Sequence, residues 1–230
     1  MVRFRAAVIL RGALFLLADA GLVLLLWSSW MTQATGTFRP AVRIGNTAAV
    51  AAALPAKGPD APVRFAVISD IEEGVETFRA ALRRFAERPP DAVVINGDLC
   101  YRPTPEGYAY FLWQLRDAPW PGPYFCGAGN HDGPDDGDRS LFRRHFGSER
   151  FAVRLDACQL LIVDNCVGGL SEADYRWLES AAGPSGPGPG IRHRFLFLHR
   201  PPLDASKDAD RVRPDPAFGR LYDLAPRLGI

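Results

Sequence analysis

The chain lacks an excess of charge of either sign, since 27 lysines and arginines face 26 aspartates and glutamates. Phosphate backbones call for a basic surplus, so this balance argues against specific nucleic-acid binding. Cysteine is scarce at four residues, and Cys100, Cys126, Cys158 and Cys166 form no CxxC pair and no zinc-finger spacing. Cys158 and Cys166 bracket one apparent strand, which at about 3.3 Å per residue sets them roughly 26 Å apart, too far to bridge. All four read as small buried hydrophobes. Histidine is equally rare, and none follows His199. Internal repeats are absent, and low complexity is confined to a Pro/Gly loop over 183–190.

What remains is a 230-residue chain, 47% hydrophobic, long enough for one domain with a sizeable core plus extras. Arg3, Arg5 and Arg11 precede an apolar run from Gly12 to Trp30 that is interrupted by Asp19. About 19 apolar residues just span a hydrocarbon core. Basic residues on the N-terminal side alone place the N-terminus in the cytoplasm and the rest outside. Residues 1–30 are therefore expected to be a membrane anchor, with a cleaved signal segment and secretion as the alternative and a buried core helix as a third reading. The run is long for a signal segment, and no clear A-x-A site follows it. Residues 31–62 are expected to be a linker, with Ala41-Val42-Arg43-Ile44 as a candidate edge strand. The folded domain is expected over 63–230.

Within that domain, short apolar runs alternate with amphipathic segments. Residues 63–68 end at Ser69-Asp70, and Ala92-Val93-Val94-Ile95 runs into Asn96-Gly97-Asp98. Pro123-Tyr124-Phe125-Cys126 leads to Gly127-Ala128-Gly129-Asn130-His131-Asp132, residues 159–163 end at Asp164-Asn165, and residues 194–198 end at His199. Between them, Val75, Phe78, Leu82 and Phe85 recur at helical spacing, as do Tyr108, Phe111, Leu112 and Leu115. Ser171-Glu172-Ala173-Asp174 reads as a capping box opening another helix. The pattern predicts a layered α/β domain, because strands buried on both faces read as continuous apolar runs. Asp70, Asp98, Asn130 and His199 each follow directly on such a run, and open α/β sheets bind ligands outside the carboxyl ends of their strands. Singly, each is an ordinary turn former. Jointly, several strand ends carrying ligand-type residues predict one site.

Together these stretches resemble the calcineurin-like metallophosphoesterase family. Its signature of D-x-H, G-D, G-N-H-[DE], a histidine and then G-H-x-H is matched here by Asp70-Ile71-Glu72, Gly97-Asp98, Gly129-Asn130-His131-Asp132 and His199. The resemblance covers roughly residues 63–230 and implies a β-sandwich flanked by helices. It also implies a hydrolase that cleaves a phosphomonoester or phosphodiester with a metal-activated water. By that resemblance Asp70 binds a first metal, Asp98 bridges two, and Asn130 and His199 bind the second. His131 acts as the acid near the leaving oxygen, and Asp132 orients it. Carboxylate, amide oxygen and imidazole donors suit two divalent ions such as Mn, Fe or Zn. Such a pair activates a shared water and clamps the phosphoryl group.

Two positions depart from the pattern. Glu72 stands where the family has histidine; it reads as a carboxylate ligand for a harder cation or as a residue in the first turn of the following helix. No G-H-x-H follows His199, which implies that the last strand is missing and makes an inactive phosphoesterase-like binding module the alternative function. Substrate and oligomeric state are not specified by these residues.

Overall fold

The computed structural model describes residues 18–27, 41–58, 61–72, 74–167, 169–183, 190–204 and 213–230. The chain divides into two units, Met1–Phe38 and Arg39–Ile230. In the first, residues 18–27 are helical, and Leu22 through Trp27 are all exposed. The rest of the expected membrane segment and residues 31–40 of the expected linker lie outside the described residues. Among the described residues, no helix is long and apolar enough to cross a membrane.

The second unit is a sandwich of two three-stranded sheets. Strands β1 (Phe65–Ile68), β2 (Ala92–Asn96) and β3 (Tyr124–Gly127) are parallel and adjacent in that order, with Val94 opposite Phe125 and Ile95 opposite Cys126. In the second sheet, β4 (Arg150–Leu155) runs antiparallel to β5 (Cys158–Val163), which runs parallel to β6 (His193–Phe197). Ala92, Val94 and Phe125 from the first sheet share one core with Val153, Leu155, Leu160, Ile162 and Phe197 from the second. Residues two apart share a strand face, so Leu161 and Val163 turn outward, where they meet Tyr175, Leu178, Leu221, Leu224 and Leu228. A short antiparallel pair, β7 (Leu203–Asp204) and β8 (Arg213–Pro214), follows β6.

Helices occupy the outer layers. On the first-sheet side, α2 (Val75–Glu87), α3 (Pro105–Gln114) and α4 (Ser140–Phe146) interlock through Phe78, Tyr108, Phe111 and Phe146. Thr104 caps α3 by accepting from Gly107 N, and Pro105 follows at the first position, where a missing N–H costs nothing. Against the second sheet pack α5 (Glu172–Ala182) and α6 (Gly219–Leu228). The capping box expected at Ser171–Asp174 is present, with Ser171 Oγ accepting from Asp174 N and Ser171 N donating to Asp174 Oδ2. Arg220 lies over the Tyr175 ring and so joins α6 to α5.

The segment expected to be a linker is, over 41–54, part of the sandwich. Tyr124 N donates to Arg43 O at 2.8 Å, and Gly45 N donates to Tyr124 O at 3.0 Å, so Ile44 forms an isolated parallel bridge beside β3, one residue of the candidate edge strand. Asn46, 4% exposed, donates to Cys126 O and Ser148 O and accepts from Cys126 N. It thereby ties β3 to the entry of β4. Thr47 caps the short helix α1 (Ala48–Ala51), which buries Val50 in the inter-sheet core. All four cysteines are buried and free of disulfides, in keeping with their reading as small buried hydrophobes.

Candidate metal centre

Three parallel strands of the first sheet end on the same rim, and each delivers its polar residue by a sharp turn. Asp70, Glu72 and Asp98 have φ of 55°, 38° and 53°, the left-handed region that costs a non-glycine residue energy and gathers at functional sites. The turns are laced together, because Asp70 N donates to Gly97 O, while Ile71 N and Glu72 N both donate to Asp98 O. Glu72 therefore sits in the β1 turn and not in the following helix, whose N-cap is Gly74. Of the two readings of Glu72, this backbone tie sets aside the one that puts it in the first turn of the helix.

Close approach of the loops needs the two glycines that precede the donors. A Cβ on Gly129 would coincide with the Asp98 carboxylate, and one on Gly97 would press on the His199 ring. Asp98 is consequently central and 3% exposed. Its Oδ1 accepts from His131 N at 2.8 Å, and its Oδ2 lies 3.3 Å from His199 Nε2. Burial works to raise the Asp98 pKa, but the His199 and His131 hydrogen bonds and their positive charge outweigh it and hold the carboxyl below its usual value.

His199 comes from the second sheet, beyond the end of β6. A carbonyl only accepts, so the 2.9 Å contact to Asn96 O fixes the hydrogen on His199 Nδ1 and turns Nε2 toward Asp98 and Asn130 Oδ1, the latter at 3.2 Å. The loop is clamped from both sheets. Asn96 donates to Leu198 O, and fully buried Asn165 donates to Arg200 O and accepts from Arg200 N. The hydrogen bond to Asp98, with the Asn96 carbonyl and the charges of Asp98 and Asp70, outweighs burial and raises the His199 pKa to about 9. Positive charge is favoured at this point.

Ligand atoms of Asp70, Asp98 and His199 lie within 4.8 Å of one another, as do those of Glu72, Asp98 and His131. The structure thus brings together Asp70, Glu72, Asp98, Asn130, His131 and His199. Imidazoles and carboxylates converging on a shared buried aspartate, with the three carboxylates presented from left-handed backbone, fit divalent cations.

Asp132 takes a different place from the one expected. It is buried, accepting from Gly129 N and Leu99 N, while its backbone carbonyl accepts from Tyr108 Oη. Orientation of the His131 ring falls instead to Tyr101 O, 2.8 Å from Nδ1, with the Tyr101 ring stacked on the imidazole. Burial raises the Asp132 pKa to about 6 against the lowering effect of the Gly129 and Leu99 N–H groups. The residue is a hub that ties the β2 turn to the β3 turn. Arg139, 3% exposed, was also missed from sequence; its Nε donates to Asp164 Oδ2 at 2.6 Å and it reaches Gly129 O. Nothing local in the sequence marks an arginine before α4 as buried. Asp164-Asn165 at a strand end carried the only signal for this supporting layer.

Comparison with known proteins gives three findings. The model of the calcineurin-like phosphoesterase family matches residues 63–227. A curated glycerophosphodiester phosphodiesterase, GpdQ of Enterobacter lignolyticus (strain SCF1), is 29% identical over 150 residues, covering 58% of this chain and 50% of that protein. The chain therefore spans about half the length of this curated relative. Among solved structures, purple acid phosphatase PPD1 from yellow lupin (Lupinus luteus) seeds aligns with a TM-score of 0.48 and 14% identity, over 61% of this chain and 31% of that one.

Proposed function

The chain belongs to the calcineurin-like phosphoesterase family, and from that premise we propose that it hydrolyses a phosphoester with divalent metal held at the strand-end rim. The observation that carries this reading is the sharing of Asp98. One carboxylate oxygen faces the His131 turn and the other faces His199, and the residue belongs to both ligand clusters. Asp70, Asp98, Asn130 and His199 would hold metal, and Mn, Fe or Zn all suit this donor set. The bound ion supplies polarisation of the phosphoryl group and activation of water. The protein's own part is positioning. Gly97 and Gly129 leave room for Asp98 and His199 to meet, Asn96 and Asn165 hold the His199 loop, and Asp132 fixes the two turns against each other. Similarity to a glycerophosphodiester phosphodiesterase supports trying phosphodiesters before monoesters as substrates.

The test is hydrolysis of bis(p-nitrophenyl) phosphate against p-nitrophenyl phosphate, with and without Mn²⁺, in the wild type and in Asp98→Ala. The reading predicts metal-dependent turnover, faster on the diester and lost in the variant. Metal binding with no turnover of either ester would replace it with a phosphoester-binding module.

We infer further that the N-terminal segment tethers the domain to a membrane, with the domain on the extracytoplasmic side. Arg3, Arg5 and Arg11 and the exposed apolar helical residues Leu22 to Trp27 support this. Protein that partitions with membranes and is released only by detergent is the expected result; full recovery in the aqueous fraction would refute it.

A further inference from the structure

We propose that the groove between α2 and α3, separate from the strand-end rim, binds a small phosphorylated polyol. Arginines take the phosphate there, and the buried Gln114 amide reads a hydroxyl. The site stands on its own residues and does not depend on the metal reading above.

Gln114, the last residue of α3, is a buried amide without a partner. It is 5% exposed, yet neither Nε2 nor Oε1 has a hydrogen-bond partner among the described residues. Buried amides are nearly always paired, because an unpaired one forfeits its hydrogen bonds to water. Gln159, also buried, obeys this rule, accepting from Arg194 Nε at 2.6 Å and donating to Ala181 O at 2.8 Å. Gln114 instead lines a groove of about 300 Å³, at the small end of the range for ligand sites. None of the metal-centre donors lines this groove. An amide donates at one end and accepts at the other, so its ligand must offer both an acceptor and a donor. A phosphate oxygen beside a hydroxyl offers both.

The charge around that amide points the same way. Arg79 and Arg83, one helical turn apart on α2, line the groove together with Arg116 and Asp117 beyond the end of α3. Trp113 holds two of the guanidiniums, with Arg116 at 4.9 Å and Arg79 at 5.8 Å from its ring centroid. Arg116 also pairs with Asp117 at 2.7 Å, and Arg79 with Glu76 at 3.5 Å, whereas exposed Arg83 has no ion-pair partner among the described residues. Among the described lining residues, three guanidiniums against one carboxylate leave a surplus of two positive charges. A phosphomonoester carries about −1.5 to −2 and matches that surplus better than a singly charged carboxylate. Guanidinium forks also bind phosphate oxygens in pairs. The competing occupant of the groove is water bridging the amide, with the arginines serving only the surface.

The experiment uses the full chain labelled with ¹⁵N in its glutamine and tryptophan side chains, titrated with ribose 5-phosphate without added metal so that the ester is not turned over. The glutamines are Gln33, Gln114 and Gln159, so the Gln114 amide is readily assigned. Its signal and that of the Trp113 indole should move and saturate below about 1 mM, while Gln159 stays still. Ribose alone should give no response, and inorganic phosphate should bind at least about tenfold more weakly. Arg83→Gln should weaken binding about tenfold and flatten its salt dependence. Gln114→Met keeps the side-chain length and removes the unpaired amide. It should weaken binding about tenfold or more, yet melt at or above the wild-type temperature. No response at Gln114, equal affinity for inorganic phosphate, or unchanged affinity in either variant would overturn the site. Should Gln114→Met fail to fold, Arg83→Gln at its exposed position still decides.

Discussion

The β1–β3 sheet delivers its donors at three parallel strand ends, as Asp70 with Glu72, Asp98, and Asn130 with His131, whereas the β4–β6 sheet delivers His199 alone. Asp70, Glu72 and Asp98 ride on left-handed turns that hydrogen-bond to one another, and Asn130 and His131 follow on a short 3-10 turn whose His131 N donates to Asp98. The single residue from the second sheet rides on a loop held by two asparagines, Asn96 and Asn165. The sheets share one apolar core but play different parts at the rim. The first builds the site in strained backbone; the second closes it and braces it.

That contrast can be broken by removing what the first sheet is built to hold. Chelation of divalent metal should reduce phosphodiester hydrolysis by about 10³-fold or more, since metal polarisation is worth several kcal/mol in the transition state. Readdition of Mn²⁺ should restore the rate in a chromogenic assay.

The brace comes next. Arg139→Met leaves the Asp164 carboxylate without its 2.6 Å partner and frees Gly129 O. Breaking a buried pair from one side costs about 3–5 kcal/mol, to be read by urea denaturation. The loss should fall on stability, with metal affinity per folded molecule changing less than in any donor variant.

A pair of glycines sharpens the comparison. Gly129→Ala forces a methyl into the Asp98 carboxylate and should destabilise by about 1–3 kcal/mol while weakening Mn²⁺ binding. Gly219→Ala, at the start of α6 against the second sheet, meets no atom within 4 Å and should stabilise by about 0.4–1 kcal/mol with binding unchanged. Calorimetric melting of the two variants side by side measures the difference.

The smallest effect concerns α4. Burial, then the neighbouring charge of Arg144, holds the His145 pKa below its usual value, and the ring packs against Tyr108 and Phe146. Below about pH 6.5 the unfolded chain therefore binds more protons at this position than the folded one, so this residue's contribution to stability is lost as pH falls. His145→Gln should flatten the decline between about pH 7 and 5.5. An unchanged slope would contradict the assignment.

Much of this organisation was readable in the residues themselves. Strand ends Asp70, Asp98, Asn130 and His199 could be found because each polar residue interrupts an apolar run, and burial on both faces makes such runs continuous. The capping box at Ser171 and the helical spacing of Val75, Phe78, Leu82 and Phe85 are local signals, and both helices are present. What escaped reading depends on contacts far apart in sequence. Asn46 bonds to Cys126 across 80 positions, and Arg139 bonds to Asp164 across 25. Asp132 was placed beside His131 by sequence adjacency, yet its carboxylate turns to Leu99, 33 positions away. Strand β4 was obscured because Arg150 and Arg154 interrupt its apolar pattern.

The shared role of Asp98 is the core of this account, and Mn²⁺ titration of Asp98→Ala against the wild type by isothermal calorimetry tests it most directly. The account predicts that the variant stays folded by circular dichroism and loses binding at both clusters, because each needs that carboxylate. Wild-type affinity and stoichiometry in Asp98→Ala would contradict it.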